Sequence, residues 1–161
     1  MINMVLNILV GCVAFGVMEF VAWSNHKFIM HGFLWVWHKD HHQNDHKKLA
    51  LNYQPVRQFE LNDLFFIVYA LPAIMLLLIG FKVDNQLLVS VGVGISAYGM
   101  VYFLIHDTLI HERLFTGLSN HLNCRYVRAI MRAHTAHHRP KIKSDFYNYG
   151  LLIFRFKYFK E

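Results

Sequence analysis

Charge is scarce in this chain, and cysteine scarcer still. Only 16% of the 161 residues are charged and 55% are hydrophobic, a balance that argues against a soluble domain and for a membrane protein of one domain, residues 1–161. The two cysteines, Cys12 and Cys124, form no spacing pattern, so neither a disulfide framework nor a zinc ribbon is supported. No G-x-G-x-x-G or P-loop pattern is present, so the chain has no evident nucleotide-binding unit and would take electrons from another protein. Three stretches, 4–23, 64–81 and 87–105, contain a single charged residue, Glu19. Each is long enough to cross about 30 Å of hydrocarbon as a helix. The first lacks a basic leading segment and a small-residue cleavage site, and is read as an anchor.

What charge there is lies between and after these stretches. Lys27, Lys39, Lys47, Lys48 and Arg57 separate the first two, ten more basic residues from Arg113 to Lys160 follow the third, and the hairpin between the second and third holds only Lys82. Three spans put both basic segments on one side, which the positive-inside rule makes cytoplasmic. All 12 histidines lie on that side or at its membrane boundary. The expectation is an all-α integral membrane protein of three to four spans in the cytoplasmic membrane, with a helical cap on that face carrying a di-metal site. Gly92, Gly94, Ser96, Ala97 and Gly99 suit close helix packing in the third span, and Pro72 a modest kink in the second.

Ten histidines repeat one order twice: His26 and His31, then His38, His41 and His42; His106 and His111, then His134, His137 and His138. In H-x2-H-H the three residues lie within about a third of a helix circumference and converge on one small volume. In H-x4-H five residues advance an α-helix by about 140°, so either the helix is distorted there or the two imidazoles reach the site from different directions. Over 124–139 an amphipathic helix sets Arg125, Arg128 and Arg132 opposite His134, His137 and His138, so these histidines continue the buried face. Imidazole suits zinc, copper, nickel and iron, and ten of them fit two metals with five nitrogens each, leaving positions for oxygen.

His46 and His121 fall outside the pattern and are read as loop histidines. Asp107, Asp40 and Asp145 are candidates to hold an imidazole tautomer, with solvated or capping roles the alternative for the last two. Glu19, alone within a span and about 10 Å deeper than His26, either orients a ligand, serves a proton path, or bonds a facing helix. Glu60, Asn62 and Asp63 are read as the capped start of the second span. The aromatic close, 146–159, is read as an interfacial helix.

Together the four boxes resemble those of the bacterial and plant carotene hydroxylases, the β-carotene 3-hydroxylase family within the fatty acid hydroxylase and sterol desaturase superfamily. The resemblance runs through Met18-Glu19, His26-Lys27-Phe28-Ile29-Met30-His31-Gly32, Phe59-Glu60-Leu61-Asn62-Asp63-Leu64, Ala97-Tyr98-Gly99, His106-Asp107-Thr108-Leu109-Ile110-His111 and Ala133-His134-Thr135-Ala136-His137-His138, over residues 4–139. It implies two iron ions, O2 as co-substrate, and hydroxylation of carbon 3 of each β-ionone ring; whether purified material holds iron or a substitute such as zinc or another metal is left open by the sequence. Another lipid hydroxylase of the superfamily is the alternative, and a metal-binding membrane protein a more distant one. The partners expected are a carotenoid arriving from the lipid past Phe20, Trp23, Phe66, Tyr98, Tyr102 and Phe103, membrane lipids, and an acidic ferredoxin-like donor. That donor or anionic lipid would meet Arg125, Arg128 and Arg132; nucleic acid is not expected.

Overall fold

A computed structural model describes residues 2–47, 59–115, 117–122, 124–140 and 146–160. Asp145 and the side chain of His46 lie outside the described residues. All regular structure among the described residues is helical: α1 (Ile2–Ser24) runs into a π-helical segment (Asn25–Phe33), followed by α2 (Trp35–Lys47), a 3-10 turn (Leu61–Leu64), α3 (Phe65–Lys82), α4 (Gln86–Phe103) with a second π segment (Leu104–Ile110), α5 (Leu118–His121), α6 (Arg125–His138) and a closing 3-10 turn (Phe156–Phe159).

Three helical runs, Asn3–Phe33, Leu61–Lys82 and Gln86–Ile110, are long and apolar enough to cross a bilayer. Their outward faces carry Val13, Phe20, Leu78 and Met100, each at least 60% exposed, side chains whose natural neighbour is acyl chain. α4 packs against both α1 and α3. The approach is close because Gly94 lies against the Gly11 carbonyl of α1, while a Cβ on Gly92 would meet the Leu77 side chain at 2.8 Å. The hairpin is tight, and Asn85 starts α4 by accepting the amides of Leu87 and Leu88 at 3.0 and 3.2 Å. α3 continues through Pro72.

α2, the Leu61–Leu64 turn, α6 and the C-terminal segment form the cap. Its interior is polar. Four of the five largest fully buried side chains among the described residues are His38, His41, His137 and His138, joined by Ile130. Residues 146–155 do not form the interfacial helix expected of them; they run as an irregular strap with Asn148 at φ 60°. In a helix the strap's carbonyls would bond within the segment, whereas here those of Tyr147 and Tyr149 are turned to histidine rings.

Candidate metal centre

His26 and His31 fall in the first π segment and His106 in the second, with His111 capping its end, so of the two outcomes the spacing left open the helix is distorted. With i→i+5 bonding, a residue stacks over the fifth before it. The His111 amide donates to the His106 carbonyl at 2.9 Å, and Leu34 donates to Ile29 at 3.0 Å at the end of the first segment. The paired rings consequently sit side by side, His26 and His31 with centroids 5.1 Å apart and His106 and His111 at 4.6 Å.

Nine of the ten histidines gather in two adjoining sets. His26, His31, His38, His42 and His137 offer one nitrogen each within 4.8 Å of one another, and His41, His106, His111 and His134 do the same. The H-x2-H-H boxes therefore do not converge on single volumes as expected. Neighbours on a helix point about 100° apart, so His41 and His42 diverge. In each box the middle histidine crosses: His41 of the first half joins the second half's pair, and His137 of the second joins the first's. His138 lies between the sets, its ring stacked on His42 at 4.2 Å and 4.5 Å from His134.

Outer partners fix which nitrogen faces inward. Carbonyl and carboxylate oxygens only accept, so the ring nitrogen opposite must carry the hydrogen. The Nδ1 of His26 donates to the Tyr149 carbonyl and that of His137 to the Tyr147 carbonyl, both at 2.8 Å. His38 Nδ1 donates to Asn62 Oδ1 at 2.6 Å, and His41 Nδ1 to Glu60 Oε2 at 2.9 Å. The Nε2 atoms of these four are left as bare lone pairs turned inward. Those of His26 and His38 face each other at 3.0 Å, and His41 Nε2 is buried without a hydrogen-bond partner. Two lone pairs at that distance repel unless a cation lies among them, so the donor set fits a metal ion.

Six of the imidazoles are also held neutral, the form that ligates. Burial pushes His38 down to about 3 and His137 to about 4, and it lowers His41, His42, His134 and His138 as well, with neighbouring histidines adding to the effect. A group whose pKa is depressed on folding stabilises the fold above its unfolded value, 6.5, and withdraws that support as pH falls toward the folded value. Stability and metal retention should thus be level above pH ~6.5 and decline from there toward pH ~4. Thermal unfolding and metal release followed across that range check this; midpoints constant down to pH ~4 would contradict it.

The side-chain partners of His38 and His41 come from one short stretch. Glu60 takes His41 and also Asn44 Nδ2 at 2.9 Å, Asn62 takes His38, and Asp63 caps the Glu60 amide at 3.0 Å. Arg113 joins Asp63 at 2.7 Å to Asp107 at 3.1 Å, and Asp107 faces His106 Nδ1 at 3.3 Å. Sequence reasoning passed over Glu60 and Asn62 because acidic and amide residues are ordinary at a helix start. The available signal was their position: two residues apart, at a membrane boundary, on the same side as the boxes.

Asp40 touches no imidazole. It accepts the amides of His41 and Leu61, each at 2.8 Å, and so pins α2 to the turn bearing Glu60 and Asn62. Glu19 is also away from the rings, accepting the Tyr98 hydroxyl at 2.7 Å and the amides of Leu152 and Ile153 at 2.9 Å each. Asp107 stands where it was expected, beside His106. His121 is exposed on α5 and belongs to neither set. Of the expected route, Tyr98 and Tyr102 lie in the interior, Tyr102 with its ring 4.9 Å from that of His106, whereas Phe20 and Phe66 face outward at 64% exposure.

The sequence model of the fatty acid hydroxylase family matches residues 11–157. A β-carotene hydroxylase of Pantoea ananas is 35% identical over 136 residues, covering 84% of this chain and 70% of its own. The β-carotene hydroxylase of Pseudescherichia vulneris is 33% identical over 153 residues, 94% of this chain and 79% of its own. The chain belongs to the fatty acid hydroxylase family, among its carotene hydroxylases. This hydroxylase is also 37% identical to the chloroplastic β-carotene hydroxylase 2 of Capsicum annuum over 139 residues, 84% of this chain and 41% of that longer one. No solved structure matches it. As an oxidoreductase of this family, the hydroxylase has in its histidine sets the part of the fold able to hold the metal such chemistry calls for.

Proposed function

We propose that this chain is a di-iron β-carotene 3-hydroxylase, converting β-carotene to β-cryptoxanthin and then zeaxanthin. The observation that carries the metal is the pair of adjoining histidine sets, in which His26, His38, His41 and His137 turn bare nitrogens inward and have their outward nitrogens tied down. The names of the relatives supply the substrate. An unactivated C–H bond offers acid, base or nucleophile nothing to act on, and zinc has no redox chemistry, so the reaction calls for a redox metal and O2. Bound iron would supply oxygen activation, with one oxygen atom entering the C–O bond, the other leaving as water, and two electrons and two protons drawn from outside.

The chain's own residues bind, orient and exclude water. His26, His31, His38, His42 and His137 would hold one ion and His41, His106, His111 and His134 the other, with His138 beside them. Glu60, Asn62, Asp107 and the Tyr147 and Tyr149 carbonyls keep His41, His38, His106, His137 and His26 in their ligating tautomers. The second set is entirely buried, whereas His31 of the first is only partly so. A ferredoxin-like protein at the cytoplasmic face of the cell membrane would be the electron donor.

Expression in bacteria that accumulate β-carotene should yield β-cryptoxanthin and zeaxanthin by chromatography, dependent on O2. Unchanged β-carotene together with hydroxylated acyl chains or sterols would instead assign the chain to another lipid.

A further inference from the structure

The chemistry above leaves the outer face of α6 unused. Arg125, Arg128 and Arg132 stand on successive turns there and, with Phe159 and Lys160 of the closing segment, line an open groove of about 370 Å³. Three bonds fix the level of this groove relative to α1. The Tyr126 hydroxyl donates to the Leu152 carbonyl at 2.7 Å, and the amides of Leu152 and Ile153 donate to Glu19. Glu19 lies one turn inside the end of the first apolar run, which closes at Trp23. At the other end of α6, the His137 ring lies 4.4 Å from that of His26, which stands in the π segment about 10 Å beyond Glu19 along the same helical run. α6 therefore rises from the level of Glu19 toward the metal sets, which would set the three arginines near headgroup height.

The surroundings agree. Ile153 and Phe156, each 75% exposed, and Tyr126 at 40% project from the part of the fold tied to Glu19, where acyl chain rather than water or a soluble protein would cover them. The first turn of α6 holds no acidic residue, so its arginines add to the positive end of the helix dipole instead of opposing it, an arrangement that an anion relieves. Arg132 Nη1 also donates to the Tyr158 carbonyl at 3.1 Å, anchoring that side chain to the closing segment beside the groove.

We propose that this groove binds the phosphate of an anionic phospholipid, seating the cap on the bilayer. The arginines then serve the membrane and not the electron donor, whatever the substrate proves to be. The test uses the purified full chain offered phosphatidylglycerol and phosphatidylcholine of matched acyl chains, with bound lipid counted by native mass spectrometry. The wild type should retain phosphatidylglycerol several-fold over phosphatidylcholine, and R125Q/R128Q/R132Q should lose the preference while keeping its metal. Because three neutralisations could loosen α6, the wild type is also measured in rising salt, where the preference should fade. Equal retention of the two lipids by the wild type, or a preference indifferent to salt, overturns the proposal. Displacement of phosphatidylglycerol by millimolar inorganic phosphate would assign the groove to a soluble anion. Unchanged lipid retention in the triple variant, with a raised KM for a ferredoxin, would assign it to a protein donor.

Discussion

His137→Ala should reduce hydroxylation by more than about 100-fold, beyond what losing an outer partner of a metal-bound histidine costs, while the chain remains in the membrane. The reason is the exchange of middle histidines between the halves. His137 belongs to α6, yet its Nε2 stands 3.0 Å from that of His31, and its Nδ1 is held by the Tyr147 carbonyl. Its removal opens the first set and leaves His41, His106, His111 and His134 in place. His41→Ala should do the reverse, opening the second set while its former partner Glu60 keeps Asn44. With two ions bound to the wild type, each variant should retain about one, and the surviving iron should differ between them in its Mössbauer signature. His38→Ala should resemble His137→Ala, although the two residues come from different halves. Near-normal zeaxanthin formation by either of that pair would contradict the ligand assignment, and identical iron signatures in His41→Ala and His137→Ala would contradict the exchange.

That exchange could not be read from spacing. The period of an α-helix puts positions i, i+3 and i+4 on one side, and only the third dimension reveals that the histidines facing His41 and His42 come from different elements. Local chemistry gave more for the spans, because apolar length and the absence of charge are strong signals, and for α6, because its arginines and histidines separate at the helical period. The H-x4-H boxes posed a choice that hydropathy does not decide. Whether a helix widens to i→i+5 bonding depends on what its side chains reach, and the reward here is two rings brought alongside. Glu60 and Asn62 were masked by their resemblance to capping residues, and Glu60 does sit at a helix start as well as beside His41. The strap failed as a helix for a related reason: its aromatic and basic composition suits an interface, but its carbonyls are committed to His26 and His137.

Glu19→Ala should weaken metal retention by about 10–100-fold, the range seen when an outer partner of a ligating histidine is lost, even though Glu19 touches no imidazole. It acts through the strap. The carboxylate is 6% exposed and accepts the Leu152 and Ile153 amides, three and four residues beyond Tyr149, whose carbonyl orients His26. Without it two amides and the Tyr98 hydroxyl lose their acceptor, and the strap loses its hold on α1. Gly150→Val should produce the same defect with the carboxylate intact, because a Cβ there would come within 2.8 Å of Glu19 Oε1 and 2.9 Å of the Ile153 carbonyl. In Glu19→Gln one amide oxygen can still accept while the NH2 group confronts backbone donors, so an intermediate loss is expected. Val17→Ala, at a lipid-facing position of the same helix, should leave metal retention unchanged. The measurement is iron remaining after dialysis against a chelator, compared with helix content by circular dichroism. A structural role alone would lower both together, whereas loss of histidine orientation should release iron from a chain still helical. Full iron retention in both Glu19→Ala and Gly150→Val would show that the strap does not position the histidines.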